Sequence, residues 1–147
     1  MLKRWINNWL NGDRSEKLVI ADDENILSGL NLKEVLDAHD AWKKKLQDEL
    51  TGDGTESLDV PHVASDRNCV LGKWLHGTGK KKYAKMPEYH NAVKAHANFH
   101  ICAAEVVIEH QSGNTEKARE LLETKFRAAS NDNQLELVRL FSASKEL

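Results

Sequence analysis

The chain is poor in cysteine and proline, with two of each among 147 residues, and it has eight glycines. Two cysteines cannot build a disulfide framework, and so little proline and glycine argues against a disordered or low-complexity chain. No apolar run approaches the roughly 20 residues that a membrane-spanning helix needs, so we expect no membrane span. The N-terminus lacks the apolar segment of a secretory signal, so we expect a reducing, cytoplasmic location.

The chain also has no large excess of positive or negative charge. Its 21 lysines and arginines nearly balance its 23 aspartates and glutamates, which leaves a net charge of −2. Such a balance gives no global attraction for nucleic acid or for an anionic membrane, so neither is an expected partner. The local basic run Lys80–Lys82 is interpreted as a solvated loop. What the composition does supply is seven histidines in a chain long enough for about one domain.

Helical periodicity dominates the sequence, and no convincing strand appears. Residues 2–10 are predicted to form a short amphipathic helix whose apolar stripe includes Trp5, Ile6 and Trp9. We expect this stripe to pack on the rest of the chain, on a second subunit or on a partner. Residues 11–30 are interpreted as a polar connector. The expected division is therefore an N-terminal segment over residues 1–30 and a helical bundle over residues 31–147.

The first bundle helix is predicted to begin at Asn31, which with Glu34 matches a capping box, and to end before Gly52. Residues 51–64 are predicted to form a loop. A shorter helix over residues 66–76 is predicted next, and it carries a cysteine.

Pro87 fits the first turn of a third helix that ends near Gly113. A fourth helix begins around Thr115, and its polar stretch Ser130–Gln134 is expected to kink or split it. The expected fold is all-α: an antiparallel four-helix-type bundle with a short fifth helix carrying the cysteine and a short N-terminal amphipathic helix.

Two histidines of the third helix stand at metal-ligand spacing. His96 and His100 lie four residues apart on the apolar stripe, so both imidazoles face one side of the helix, one turn apart. His39 holds the same kind of inward position on the first helix, and Cys69 lies on the short helix. Three imidazoles and a thiolate complete a tetrahedral donor set for zinc. The pattern alone leaves a second interpretation open, in which these are hydrogen-bonded core histidines.

The remaining histidines are weaker candidates. His76 is a reserve ligand, since it would share a face with Cys69 if the helix continued that far. His90 is expected to point elsewhere, and His62 and His110 are expected at the surface.

Three further residues near these candidates have expected roles. Gly72 would let another backbone approach the short helix closely. Asp66 either orients an imidazole near the metal or is a solvated acid at the helix start. Cys102 points away from the candidate ligands and is expected to be an inert thiol.

A longer pattern surrounds the candidate ligands, and it resembles the chemoreceptor zinc-binding (CZB) domain family. That family is described by a histidine, then Cys-x-Leu-Gly-x-Trp, then His-x-x-x-His. The matching runs here are His39-Asp-Ala-Trp42, Cys69-Val-Leu-Gly72-Lys-Trp74-Leu75 and His96-Ala-Asn-Phe99-His100. The resemblance extends over about residues 31–141. It implies a Zn²⁺ site with His39, Cys69, His96 and His100 as ligands, and with Trp42, Trp74 and Phe99 packed around it.

The resemblance also implies a function. Members of this family accompany cytoplasmic chemoreceptors and diguanylate cyclases in bacteria, resemble helical-bundle dimers, and respond to zinc or to oxidants such as hypochlorous acid. This chain has neither a long coiled-coil signalling hairpin nor a GG(D/E)EF cyclase signature, so we expect a homodimer that signals through such a partner. Four protein ligands close a zinc site against hydrolysis, so no enzymatic activity is expected, and Cys69 is the expected redox-sensitive residue. The alternative is a structural or zinc-buffering module without sensing.

Overall fold

The computed structural model describes residues 2–13, 15, 17–20, 25–52 and 57–145. Within them the chain is almost entirely helical, which confirms the expected all-α class. In chain order the elements are α1 Leu2–Leu10, β1 Ile26–Leu27, β2 Leu30–Asn31, α2 Leu32–Thr51, α3 Val60–Ala64, α4 Val70–Leu75, α5 Thr78–Tyr83, α6 Pro87–Gln111, α7 Thr115–Leu121, a π-helical turn Leu122–Phe126, and α8 Arg127–Ser144.

The two longest helices, α2 and α6, begin and end where the sequence predicts. Asn31 Oδ1 accepts the N–H of Glu34 at 2.9 Å, which satisfies one of the free donors in the first turn of α2. Gly52 follows α2 with a φ of 78°, a left-handed conformation that glycine adopts without steric cost. Pro87 occupies the first turn of α6, and Gly113 takes a φ of 89° just beyond its end.

The last helix is interrupted earlier than predicted. Residues 130–134 lie in regular helix within α8, so the prediction of a kink there is wrong. The irregularity is the π-helical turn, where one additional residue enters the backbone ladder. Leu122 and Phe126, at the two ends of this turn, are both buried. Polar composition at residues 130–134 does not by itself break a helix whose backbone hydrogen bonds are intact.

Two segments predicted as loops contain short helices. In the segment 51–64, of which residues 53–56 lie outside the described part, Asp59 Oδ2 accepts the N–H of His62 at 3.1 Å and begins α3. Pro61 lies in the first turn of α3, where a missing N–H costs nothing. The basic run Lys80–Lys82 lies in α5 with its side chains exposed, so it is a solvated helix face and not a loop.

A small hairpin, which the sequence analysis does not predict, precedes α2. Its strands pair antiparallel, with Leu27 opposite Leu30. Ser28 and Gly29 form the turn with φ values of 47° and 84°, the pair of positive angles that a tight two-residue hairpin requires. Trp74 Nε1 donates to the Ser28 carbonyl at 3.0 Å, so tertiary contacts hold a hairpin that two-residue strands alone could not stabilise.

The buried side chains form two apolar clusters, one on each side of the histidines of α2 and α6. On α2, Leu36 belongs to one cluster and Leu46 to the other, and His39 lies between them. On α6, Ala92 and Phe99 belong to different clusters in the same way, and His96 lies between them. The candidate ligands therefore occupy a polar layer in the interior.

Helix α1 packs against α8 and joins the first apolar cluster. Leu2 and Trp5 are nearly inaccessible, with exposed fractions of 1% and 5%, while Leu10 at the end of the helix is 54% exposed. The apolar stripe of this segment was expected to pack on the rest of the chain, on a second subunit or on a partner. In the structure it packs on the rest of its own chain. None of the described helices combines the length and the apolar character needed to cross a membrane.

Candidate metal centre

Four side chains from three parts of the chain meet in the polar layer between the apolar clusters. His39 comes from α2, His96 and His100 come from successive turns of α6, and Cys69 directly precedes α4. One donor atom from each of these residues lies within 4.8 Å of all the others. The structure thus brings together the four residues that the sequence pattern selects.

The distances between donor atoms suit a tetrahedral metal ion. Nε2 of His96 lies 3.1 Å from Nε2 of His100, and Cys69 Sγ lies 3.3 Å and 3.7 Å from those two nitrogens. A tetrahedral zinc with its usual bond lengths spaces its nitrogen and sulfur donors about 3.3–3.6 Å apart. The donor set and its spacing therefore fit zinc.

Hydrogen bonds to backbone carbonyls orient two of the imidazoles. Nδ1 of His39 bonds the Val35 carbonyl at 2.7 Å, and Nδ1 of His100 bonds the Val63 carbonyl at 3.0 Å. A carbonyl can only accept, so in both rings the proton is on Nδ1 and Nε2 carries a lone pair. This is the arrangement by which proteins present an imidazole to a metal.

Burial controls the charge of the cluster. Removal from water lowers the pKa of His39 to about 4 and the pKa of His96 to about 2, and it also lowers the pKa of His100. All three imidazoles are therefore neutral near pH 7, as metal ligands must be. Burial raises the pKa of the Cys69 thiol, against the smaller opposing effect of the Gly72 N–H. The sulfur thus needs a cation beside it to become a thiolate.

Two buried nitrogens of the cluster have no protein partner. Among the described residues, none offers a hydrogen bond to His39 Nε2 or to His96 Nδ1. An unsatisfied buried polar atom costs about 1–3 kcal/mol, so the cluster without a metal is a strained arrangement. His39 Nε2 lies on the side that faces the other donors, which is where a cation would satisfy it.

Cys69 is not part of a helix, which corrects the predicted helix over residues 66–76. Residues 65–69 form a turn, α4 begins at Val70, and Cys69 is its N-cap with extended backbone angles. Its sulfur accepts the N–H of Gly72 at 3.4 Å. A Cβ at Gly72 would overlap the Asp66 carbonyl oxygen, so the expected close approach of another backbone is confirmed. The helix cannot extend back to residue 66 because the turn folds over its first residues.

The rings around the cluster come from α2 and α6. Phe99 is fully buried, and its ring centre lies 5.0 Å from that of His39 and 5.4 Å from that of His100. The half-buried Trp42 presents an edge to His100 at 6.3 Å. Trp74 packs against Tyr83 at 5.8 Å, so the contacts that the structure shows for it are with α5 and the hairpin.

The other histidines have partners outside the cluster. The expected surface residues His62 and His110 contact Asn68 and Thr115 and are exposed and half-buried, respectively. His90 bonds the Ala84 carbonyl, so it points elsewhere, as predicted.

His76, the reserve ligand, and Asp66, the acid expected to orient an imidazole, contact each other. His76 Nε2 lies 3.1 Å from Asp66 Oδ2, and both side chains are about one-fifth exposed. Asp66 does orient an imidazole, but that imidazole belongs to His76. The sequence analysis misses this pair because it treats residues 66–76 as one helix, in which positions 66 and 76 would be far apart.

A cleft of about 430 Å³ reaches the cluster. It is lined by residues of the hairpin turn, of α2 and of the Cys69 segment, including His39 and Cys69, whereas His96 and His100 do not line it. Small molecules in solvent can therefore approach the sulfur and one imidazole. Cys102, by contrast, is 3% exposed in the apolar interior and does not line this cleft.

Comparison with known proteins decides the family. The sequence model of the chemoreceptor zinc-binding domain matches residues 39–107. This segment is a CZB domain. It contains all four residues of the cluster, and it is shorter than the range of about 31–141 over which the resemblance was expected. No curated protein and no solved structure is detectably similar to the chain.

The CZB family binds zinc, and the cluster in this domain is able to hold a metal ion. The sequence pattern identifies all the side chains that meet there, but not the carbonyls that orient them. Val35 could have been found, because it lies four residues before His39 on the same helix. Val63 lies 37 residues from His100, and only the folded chain brings them together.

The close approach at Gly72 leads to a prediction. In Gly72→Ala the added methyl group must displace the Asp66 carbonyl, and with it the turn that carries Cys69. We expect a loss of about 1–3 kcal/mol in the free energy of unfolding and weaker metal retention, measured by chemical denaturation and metal analysis. Lys73→Ala, at an exposed position of the same helix, is the control, and equal behaviour of the two variants would contradict the prediction.

Proposed function

We propose that the protein is a regulatory zinc-binding domain whose ion is held by His39, Cys69, His96 and His100. The observation that carries the proposal is the convergence of one donor atom from each of the four side chains in a buried layer, with two Nε2 atoms 3.1 Å apart. The Val63 carbonyl holds the proton of His100 on Nδ1, so His100 Nε2 presents a lone pair to the other donors. Zinc, when bound, accepts such lone pairs and keeps the Cys69 sulfur deprotonated.

Four protein ligands favour a regulatory role over an enzymatic one. A catalytic zinc keeps one position open for water or substrate, whereas four protein donors complete the tetrahedron. The acid nearest in sequence to the cysteine, Asp66, is paired with His76 and so is not aimed at a substrate. We therefore propose a non-catalytic centre.

Zinc content tests the ligand set. Purified protein is expected to carry about one zinc per chain, and alanine at any of the four positions is expected to weaken retention at least tenfold, roughly the minimum for losses at such sites. His62→Ala and His110→Ala are the controls, because these imidazoles lie outside the cluster. The measurement is metal analysis after dialysis against a chelator. Full retention in His39→Ala would remove α2 from the site and contradict the proposal.

The fold of the protein after zinc removal distinguishes a zinc sensor from a domain in which zinc has only a structural role. The structural role is a serious alternative because the cluster joins α2, α6 and the turn before α4 in the interior. Circular dichroism after zinc removal should show retained helix for a sensor that exchanges its metal. Loss of the helical signal would favour the structural role.

We further propose that Cys69 couples oxidants to zinc occupancy. Sulfur is the readily oxidised donor of the cluster, and the cleft exposes it on the side of His39. A Cys69 thiolate that attacks hypochlorous acid gives the sulfenic acid and chloride, and two electrons pass from sulfur to the oxidant. The sulfur then bears an oxygen and is a poorer zinc donor, and thiol reductants restore it.

Stepwise oxidation tests this coupling. With hypochlorous acid added in small molar steps, zinc release reported by a chromophoric chelator should rise together with sulfenic acid at Cys69, located by mass spectrometry. The response should persist in Cys102→Ser, because the Cys102 thiol is buried and lies outside the cluster. If zinc stays bound while Cys102 or Met86 is oxidised, the coupling through Cys69 is contradicted. Zinc concentration would then be the only signal that the domain senses.

The last part of the proposal concerns how a signal leaves the domain. We propose a cytoplasmic homodimer that acts with a chemoreceptor or a diguanylate cyclase, and the resemblance to the family supports this. The apolar stripes of α2 and α8 are mostly buried within one chain. Ile101 and Ile108 lie seven residues apart on α6 and are 51% and 45% exposed, so they offer a better interface.

Light scattering of the zinc-loaded protein tests the dimer. We expect twice the chain mass at tens of micromolar, and a shift toward monomer in Ile101→Lys because a charge would be buried at the interface. Val19→Lys, at another exposed apolar position, is the control. A wild-type monomer would contradict the homodimer.

A further inference from the structure

Asp66 touches α4 at two points that lie one helical turn apart. Its backbone carbonyl rests on Gly72, where no side chain could fit. Its carboxylate oxygen Oδ2 lies 3.1 Å from Nε2 of His76, the residue that caps the C-terminal end of α4. Residues four apart share a helix face, so Asp66 lies along one side of the whole short helix.

These two contacts close a loop around the cysteine. Cys69 lies midway between Asp66 and Gly72, in the turn before α4, and its carbonyl accepts the N–H of Lys73 at 3.0 Å. Its sulfur is tied to α4 through the Gly72 N–H at 3.4 Å. The other three donors of the cluster belong to long regular helices, so Cys69 is the donor whose position depends on such local contacts.

We propose that the Asp66–His76 pair is a positioning clamp that holds Cys69 Sγ against His96 and His100 and thereby slows zinc release. This inference rests on the proposed function, because it concerns a ligand of the same site. Opening the pair frees the start of the turn from the end of α4 and lets the sulfur withdraw from the imidazoles. The clamp thus controls the donor that faces the cleft.

The carboxylate acts by charge as well as by its hydrogen bond. It is close enough to Cys69 and His100 to influence both electrostatically. A zinc ion with one thiolate and three neutral imidazoles keeps a net positive charge, which a nearby carboxylate stabilises. Asp66→Asn removes this charge but keeps an acceptor for His76, whereas His76→Ala removes the hydrogen bond and keeps the carboxylate.

The experiment measures the rate of zinc transfer from the zinc-loaded 147-residue chain to a chromophoric chelator in excess. We expect about tenfold faster release in His76→Ala, a change typical of residues that support metal ligands, and near wild-type release in His76→Gln, which keeps an N–H donor. His90→Ala removes an imidazole that bonds a carbonyl elsewhere and should release zinc at the wild-type rate. Asp48→Asn, at an exposed ion pair on α2, is the matched control for Asp66→Asn.

Cobalt replacement separates positioning from general destabilisation. The thiolate-to-cobalt charge-transfer band should weaken or shift in His76→Ala and in Asp66→Ala, while thermal unfolding of the metal-free variants stays close to that of metal-free wild type. Release and cobalt spectra that match wild type in both variants would overturn the clamp and leave the zinc site intact. Equal acceleration in His90→Ala would also overturn it. A wild-type chain that holds no zinc would instead contradict the function proposed above.

Discussion

The interior of this domain depends on three neutral imidazoles and one sulfur held almost in contact. Backbone carbonyls hold the protons of His39 and His100 on Nδ1, so the Nε2 atoms of these two rings carry lone pairs. Without a metal, His39 Nε2 has no partner among the described residues, and an unsatisfied buried polar atom costs about 1–3 kcal/mol. A zinc ion would accept these lone pairs and join α2, α6 and the segment before α4. The polar layer is therefore suited to a metal site.

The four donors differ in how firmly the chain holds them. His39, His96 and His100 lie on helices of 20 and 25 residues, packed between two apolar clusters. Cys69 lies in a turn whose shape depends on the absence of a side chain at Gly72. The donor that can be oxidised is therefore also the donor with the least regular support. Such a combination is suited to a ligand that leaves and returns.

Access to the site is as uneven as its support. The cleft reaches Cys69 and His39, while His96 and His100 are enclosed by the protein. Cys69 is therefore a donor that lines a cleft open to solvent, next to the start of α4. Helix α4 contacts the hairpin through Trp74, and the hairpin directly precedes α2. A displacement of the turn before α4 could therefore move the beginning of α2. A local change at one donor thus has a physical route to the surface of the domain.

The sequence by itself determined the helical class, the ends of α2 and α6, and the four residues that meet at the site. Periodicity and capping are local properties, and two histidines four apart on an apolar stripe must share a buried face. Only the tertiary structure decided the hairpin, the π-helical turn and the conformation at Cys69. The hairpin is bonded by Trp74, and the turn before α4 is possible because Gly72 leaves room for the Asp66 carbonyl. Contacts between distant residues override local preference there, because short elements have too few hydrogen bonds to hold their own shape.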